Sequence, residues 1–213
     1  MKKIKRILSI ISAATLCAVP IFSTSVVNAA SSDQYDTYAI YCDVPANSGV
    51  MWANLEFVYK DMEEIKSHVG TFGGTVSDTS GARRQNGEHS FAACFRANGA
   101  LSAPGNLFTT KLITEHGNEI EKIIKEICTT SFDAQRKLIT NNQVTYNMVL
   151  VGDANGNDVV TIADATAILQ YVGNPSTYKI SNLRAADVNF DGIVDSKDAE
   201  LIQMYDAGVI DCF

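Results

Sequence analysis

Asp153-Ala-Asn-Gly-Asn-Asp-Val-Val-Thr-Ile-Ala-Asp164 is echoed 34 residues later by Asp187-Val-Asn-Phe-Asp-Gly-Ile-Val-Asp-Ser-Lys-Asp198. Each copy carries oxygen side chains at positions 1, 3, 5, 9 and 12, the spacing at which a tight turn wraps hard oxygen ligands around one calcium ion at about 2.4 Å. The first loop offers Asp153, Asn155, Asn157, the Val159 carbonyl, Thr161 and Asp164. The second offers Asp187, Asn189, Asp191, the Ile193 carbonyl, Asp195 and Asp198, so the pair implies two ions. Position 6 favours Gly for its left-handed backbone, and holds Gly192 in the second loop but Asp158 in the first. Asp tolerates that conformation better than most residues, at some cost. With two ligand carboxylates against four, the first loop is expected to bind calcium more weakly, which calorimetric titration can check.

Position 12 holds Asp where an EF-hand places Glu, and nothing helical is expected before either loop: Asn147-Met-Val-Leu-Val151 is β-like, and Leu183-Arg-Ala-Ala186 is only a turn's worth of chain. A loop followed by a single helix, duplicated over roughly residues 150 to 210, resembles a type I dockerin. That resemblance implies a small all-α module of two calcium loop-helix repeats, whose helices dock onto a cohesin of a cellulosome scaffoldin. The helices show a buried stripe: Ala165, Ile168, Leu169 and Val172 in the first copy, Leu201, Ile202 and Tyr205 in the second. Beside it, the positions the family uses for recognition are Ile162, Ala163, Leu169 and Gln170, then Ser196, Lys197, Gln203 and Met204. The two sets differ in polarity, which argues against symmetric docking. Leu169 falls in both the stripe and the recognition set.

Met1-Lys-Lys-Ile-Lys-Arg6, an apolar run from Ile7 to Phe22 and the small residues ending Val27-Asn-Ala29 read as an export signal over residues 1–30, with no retained membrane segment. The expected location is extracellular, at the cell surface with the cellulosome. Losing the leader leaves 13 basic against 24 acidic residues, a net charge of −11, a poor basis for binding nucleic acid. Cys42, Cys94, Cys128 and Cys212 remain, an even number that permits two disulfides, though they are sparse and Cys94 lies among apolar residues; the anaerobic setting that the cellulosomal resemblance implies favours buried free thiols.

Residues 31–149 form a second module, ahead of the dockerin-like residues 150–213. Strands are expected over Thr37–Cys42, Val50–Tyr59, Ser90–Phe95 and Leu107–Thr114, with Gly-rich turns at Gly70–Gly74 and Asn98–Gly105. This makes a β-sandwich the economical fold. Ile120, Ile123, Ile124 and Ile127 have helical spacing and predict one helix over 118–128, while Leu55, Val58, Met62 and Ile65 leave 50–66 open between strand and helix. The Pro45-Ala-Asn-Ser-Gly49 turn, the strand ending Tyr59-Lys-Asp61 and the later Ser-Phe-Ala-Ala-Cys-Phe strand resemble a cohesin of jelly-roll type, although Lys60 is inserted and the helix is foreign to that family. A cohesin-like module joined to a dockerin resembles an adaptor scaffoldin, which would bind another dockerin. The alternative is a carbohydrate-binding sandwich that holds a polysaccharide.

A hydrolase is disfavoured. Residues 31–149 are about half the length of a barrel of roughly 250 residues, and His68, His89 and His116 lack a metal-ligand spacing. No catalytic residue is assigned. As a strand residue, Trp52 is in phase with Asn54 and Glu56, opposite Met51, Ala53, Leu55 and Phe57, which points it outward; a core position is the alternative.

Overall fold

The structure is a computed structural model that describes residues 34–81, 87–141 and 143–213, so the export signal lies outside the described residues. Eight strands come first: β1 (Tyr35–Val44), β2 (Trp52–Tyr59), β3 (Glu64–Val69), β4 (Thr75–Ser80), β5 (His89–Arg96), β6 (Gly105–Glu115), β7 (Ile124–Phe132) and β8 (Thr145–Leu150). A single helical turn, α1 (Ile120–Ile123), precedes β7. Three helices follow the last strand: α2 (Ile162–Gly173), α3 (Leu183–Ala186) and α4 (Ser196–Asp206).

The strands make two four-stranded sheets, ordered β3-β6-β1-β8 and β4-β5-β2-β7, with every pairing antiparallel. Four of these pairings, β1 with β8, β2 with β7, β3 with β6 and β4 with β5, nest one inside another. A long hairpin rolled over on itself pairs in this way, and the sandwich needs the roll because each sheet has an apolar inner face to cover. Alternation supplies those faces. Ala53, Leu55 and Phe57 of β2 and Phe91, Ala93 and Phe95 of β5 point inward, against Ile40, Cys42 and Val44 of β1 and Leu107 and Leu112 of β6. Within this core the rings of Phe57 and Phe91 lie 5.0 Å apart.

The helix expected over 118–128 survives only as α1. Ile120, Ile123 and Ile124 are buried as the periodicity required, but the chain straightens at Ile124 and pairs along β2. A bulge absorbs the change of period: the β2–β7 register shifts between Glu56 and Val58, and Glu126 opposite it takes φ +54°. Bulges place an extra residue on one strand and let apolar positions of helical spacing stay inside a sheet. The open segment 50–66 resolves into β2 and the start of β3.

β1 is buried on both faces. Ala39 and Tyr41, with Val149 of β8 and Val151, form a second core with Ala165 and Ile168 of α2, Ala185 and Ala186 of α3, and Ala199 and Ile202 of α4. Polar contacts close both ends of this junction. Arg184 donates from both terminal nitrogens to the two carboxylate oxygens of Asp43, at 2.6 and 2.9 Å, and its guanidinium lies 4.5 Å from the Tyr41 ring. The Asp43 bond holds the Arg184 pKa above its ordinary value. At the other end the Tyr205 hydroxyl donates to the Tyr35 carbonyl and to Asp36, while the Tyr35 and Phe213 amides donate to the Asp211 carbonyl and the Thr37 hydroxyl.

Candidate metal centre and docking face

Both loops fold the same way, although their sequences differ at most positions. The backbone is left-handed at positions 4 and 6 of each: Gly156 and Asp158 (φ +81° and +63°) in the first, Phe190 and Gly192 (φ +60° and +85°) in the second. Each copy therefore puts one glycine and one strained residue into the same two places, in opposite order. Asp158 adopts the conformation expected of it.

The carboxylate at position 1 organises the turn. Asp153 accepts from the amides of Gly156, Asn157 and Asp158; Asp187 accepts from those of Asp191 and Gly192. At position 5, Asn157 and Asp191 each accept from the amide two residues on, Val159 and Ile193. Position 12 closes the loop and opens the helix together. Asp164 accepts from Asn155 at position 3 and from Thr161 at position 9, and Asp198 does the same with Asn189 and Asp195. Thr161 and Asp195 are the N-cap residues of α2 and α4, and each makes a capping box with the Asp three residues on. The shorter acid at position 12 is thus the one that reaches the cap amide and remains in the loop.

Asp153, Asp164 and Asp198 are buried. The Asp187 pKa is raised, first by burial and then by Asp198 and Asp191, against the lowering effect of the Gly192 and Asp191 amides. Carboxylates held close in a half-buried loop repel one another, and a divalent cation relieves that repulsion. Among the described residues no three His, Cys, Asp or Glu side chains converge as a metal cluster. The loop donors are instead mixed carboxylate, amide, hydroxyl and carbonyl oxygens, a set that suits calcium. The residues present fit the ion.

The recognition positions lie on the side of the helices away from the sandwich core. Ile162 is 50% and Leu169 44% exposed, and Ala163, Gln170, Ser196, Lys197 and Gln203 are exposed, with Met204 half-buried. The expected buried stripe needs correction. Ala165, Ile168, Ile202 and Tyr205 are buried and Leu201 is half-buried, but Leu169 and Val172 are each 44% exposed. Sheet one covers the helix pair from one side only, so the first helix keeps an apolar outer face of Ile162, Leu169 and Val172. The equivalent face of α4 is polar.

Between the sheet and the second loop runs a cleft of about 1060 Å³ lined by Tyr41, His68, Lys111, Phe190 and Asp191 among others. The histidines stay apart: His89 stacks on Tyr59 and His116 Nδ1 lies 2.8 Å from Asp36. The four cysteines among the described residues are free, and of these only Cys42 is buried; Cys94 and Cys128 are exposed on the outer face of sheet two, and Cys212 is half-buried. The burial expected for Cys94 fails because it occupies the outward phase of β5, between Ala93 and Phe95. Trp52 takes the outward phase expected of it, beside Asn54 and Glu56. Sequence reasoning missed the contacts of Arg184, Asp43, Tyr205 and Asp36. Their partners lie 141 and 169 residues apart and carry no local signal.

Two loop-helix repeats with capped, oxygen-lined loops define a duplicated loop-helix module at the C-terminal end of the described chain. Residues 151–205 match the family described as Dockerin type I domain, so this module is a type I dockerin. Neither a curated protein nor a solved structure matches the chain. Among the described residues no helix is long and apolar enough to cross a membrane.

Proposed function

We propose that this is a secreted, non-catalytic assembly protein whose dockerin attaches it to a scaffoldin cohesin in a calcium-dependent way, while its β-sandwich serves as a cohesin-like module for another dockerin. The observation that carries the reading is the matching closure of two loops of different sequence, with left-handed backbone at the same two positions and a helix cap made by the residues at positions 9 and 12 of each. Asp153, Asn155, Asn157, the Val159 carbonyl, Thr161 and Asp164 would hold one ion, and Asp187, Asn189, Asp191, the Ile193 carbonyl, Asp195 and Asp198 the other. A bound cation neutralises the clustered carboxylates and so contributes folding free energy to the module.

Docking is a matter of surfaces. Ile162, Leu169 and Val172 present apolar area that a partner can desolvate, with Ala163 and Gln170 alongside. The second copy offers Ser196, Lys197, Gln203 and Met204, suited to polar rim contacts. A single orientation led by the first helix follows from this difference. The rolled antiparallel sandwich supports the cohesin-like reading of residues 31–149, and polysaccharide degradation would be served through the enzymes so gathered.

The test is capture of the full chain on immobilised scaffoldin cohesins with calcium and with chelator. Capture that needs calcium and falls at least tenfold in Leu169→Asp supports the reading. Capture that ignores chelator, or that Lys197→Ala abolishes while Leu169→Asp leaves it intact, overturns it.

A further inference from the structure

The outer face of sheet two holds a feature that neither the dockerin nor its docking face uses. Trp52 projects from β2, and the guanidinium carbons of two arginines lie over its indole, Arg96 at 5.0 Å and Arg136 at 5.1 Å from the ring centroid. They arrive from different elements. Arg96 is the cross-strand partner of Trp52 on β5. Arg136 comes from the loop after β7 and has a left-handed backbone, φ +62°. Asp133 pins that loop: its carboxylate accepts from the Gln135 and Lys137 amides and its carbonyl from the Arg136 amide. A non-glycine residue held in this region is strained, and such strain concentrates where a side chain must be aimed.

Both guanidinium groups are exposed, and among the described residues neither has a carboxylate partner. Stacking on an aromatic face uses the π-surface of a guanidinium and leaves its in-plane N–H groups free. The indole thus acts as a scaffold that fixes two forks of donors in place before any ligand arrives. Planar forks of this kind match carboxylates. On a chain with 24 acidic against 17 basic residues, two preorganised and unpaired cations are conspicuous.

We propose that Trp52, Arg96 and Arg136 form a carboxylate-recognition site for an acidic protein segment, one that presents clustered Asp or Glu side chains to sheet two. Charge complementarity selects the partner, and Trp with Arg is the composition of interface hot spots. A glycan is disfavoured because stacking on a sugar ring needs an open indole face, and here guanidinium groups lie over the ring. Nucleic acid is disfavoured because two cations are too few to track a phosphate ladder. The site belongs to the sandwich and is separate from the docking helices.

Trp52 is the single tryptophan of the chain, so its emission reports the site directly. The purified full chain is titrated, at fixed free calcium, with an octa-aspartate peptide, an octa-serine peptide, polygalacturonate and a cello-oligosaccharide. The expected result is a saturable change of Trp52 emission with octa-aspartate alone. It weakens about tenfold in Arg96→Gln and in Arg136→Gln, weakens further with added salt, and is unaffected by Lys60→Gln. Arg96→Lys keeps the charge but recovers only part of the affinity. Thermal melting of each variant confirms folding, and cohesin capture by the dockerin is unchanged. A response to octa-aspartate that persists at the same affinity in the double Gln variant overturns the proposal, as does no response to the peptide. Binding of polygalacturonate in its place identifies the site as a glycan site and also overturns it.

Discussion

The first sheet of the sandwich is covered on both sides around β1, by the sandwich core within and the dockerin helices without, whereas among the described residues the second sheet is covered on its inner side only. The inner faces are made alike, from alternating aliphatic and aromatic residues. The outer faces diverge: β1 carries Thr37, Ala39 and Tyr41, small or capable of a hydrogen bond, beneath the helices, while the outer face of sheet two carries Trp52, Asn54, Glu56, Cys94 and Arg96. The difference shows how two sheets with like inner faces can carry unlike outer ones, one packed against a neighbouring module and the other polar and exposed. It also ties the dockerin to the strand at the middle of its sheet.

The largest test of this contrast is calcium removal. Chelation should lower the helical circular dichroism of α2 and α4 while the emission of Trp52, on the far sheet, holds steady. Parallel loss of both signals would show instead that the two sheets and the dockerin unfold as one body. Next in size, Ile202→Ala opens a hole in the core shared by the helices and sheet one, and should cost about 2–5 kcal/mol in denaturant unfolding. Asp43→Ala breaks the two-pronged contact with Arg184 at a partly exposed site and should cost about 1–2 kcal/mol. The loss should be no greater in the Asp43→Ala, Arg184→Ala double variant, since the two residues act as a pair.

The smallest effect concerns thiols. Cys94 and Cys128 should react with a thiol reagent in the folded chain and Cys42 should not. Burial, then Glu56, raises the pKa of Cys94 and of Cys128, and burial raises that of Cys42. Less thiolate is present at neutral pH than in a free cysteine, so the rate at Cys94 and Cys128 should still be climbing as pH passes the ordinary thiol value. Glu56→Gln should speed both. Reaction at Cys42 as fast as at Cys94 would mean that sheet one is not sealed.

The folds of the two loops were legible because everything that makes them lies within twelve residues. The spacing of oxygen-bearing side chains, the left-handed positions and the cap that starts the helix are local, and a local pattern can be read without knowing the fold. Most strands were legible from alternation for the same reason. The helix expected over 118–128 failed where local and tertiary preferences competed: the isoleucines satisfy a helical stripe, but β2 offered an unpaired edge and a bulge at Glu126 reconciled the spacing. Leu169 and Val172 were misplaced because periodicity names an apolar side of a helix and does not say how much of it a neighbour covers.

Sequence alone therefore determined the paired loops, the capped helices that follow them, and a β-rich module ahead of them, all from interactions spanning a few residues. Tertiary structure decided which face of the sandwich the dockerin occupies, that Arg184 meets Asp43 and Tyr205 meets Asp36, and that Arg96 and Arg136 converge on Trp52. Those pairings join residues from 44 to 169 positions apart, where chain order says nothing about proximity and only the packing of finished elements brings the groups together.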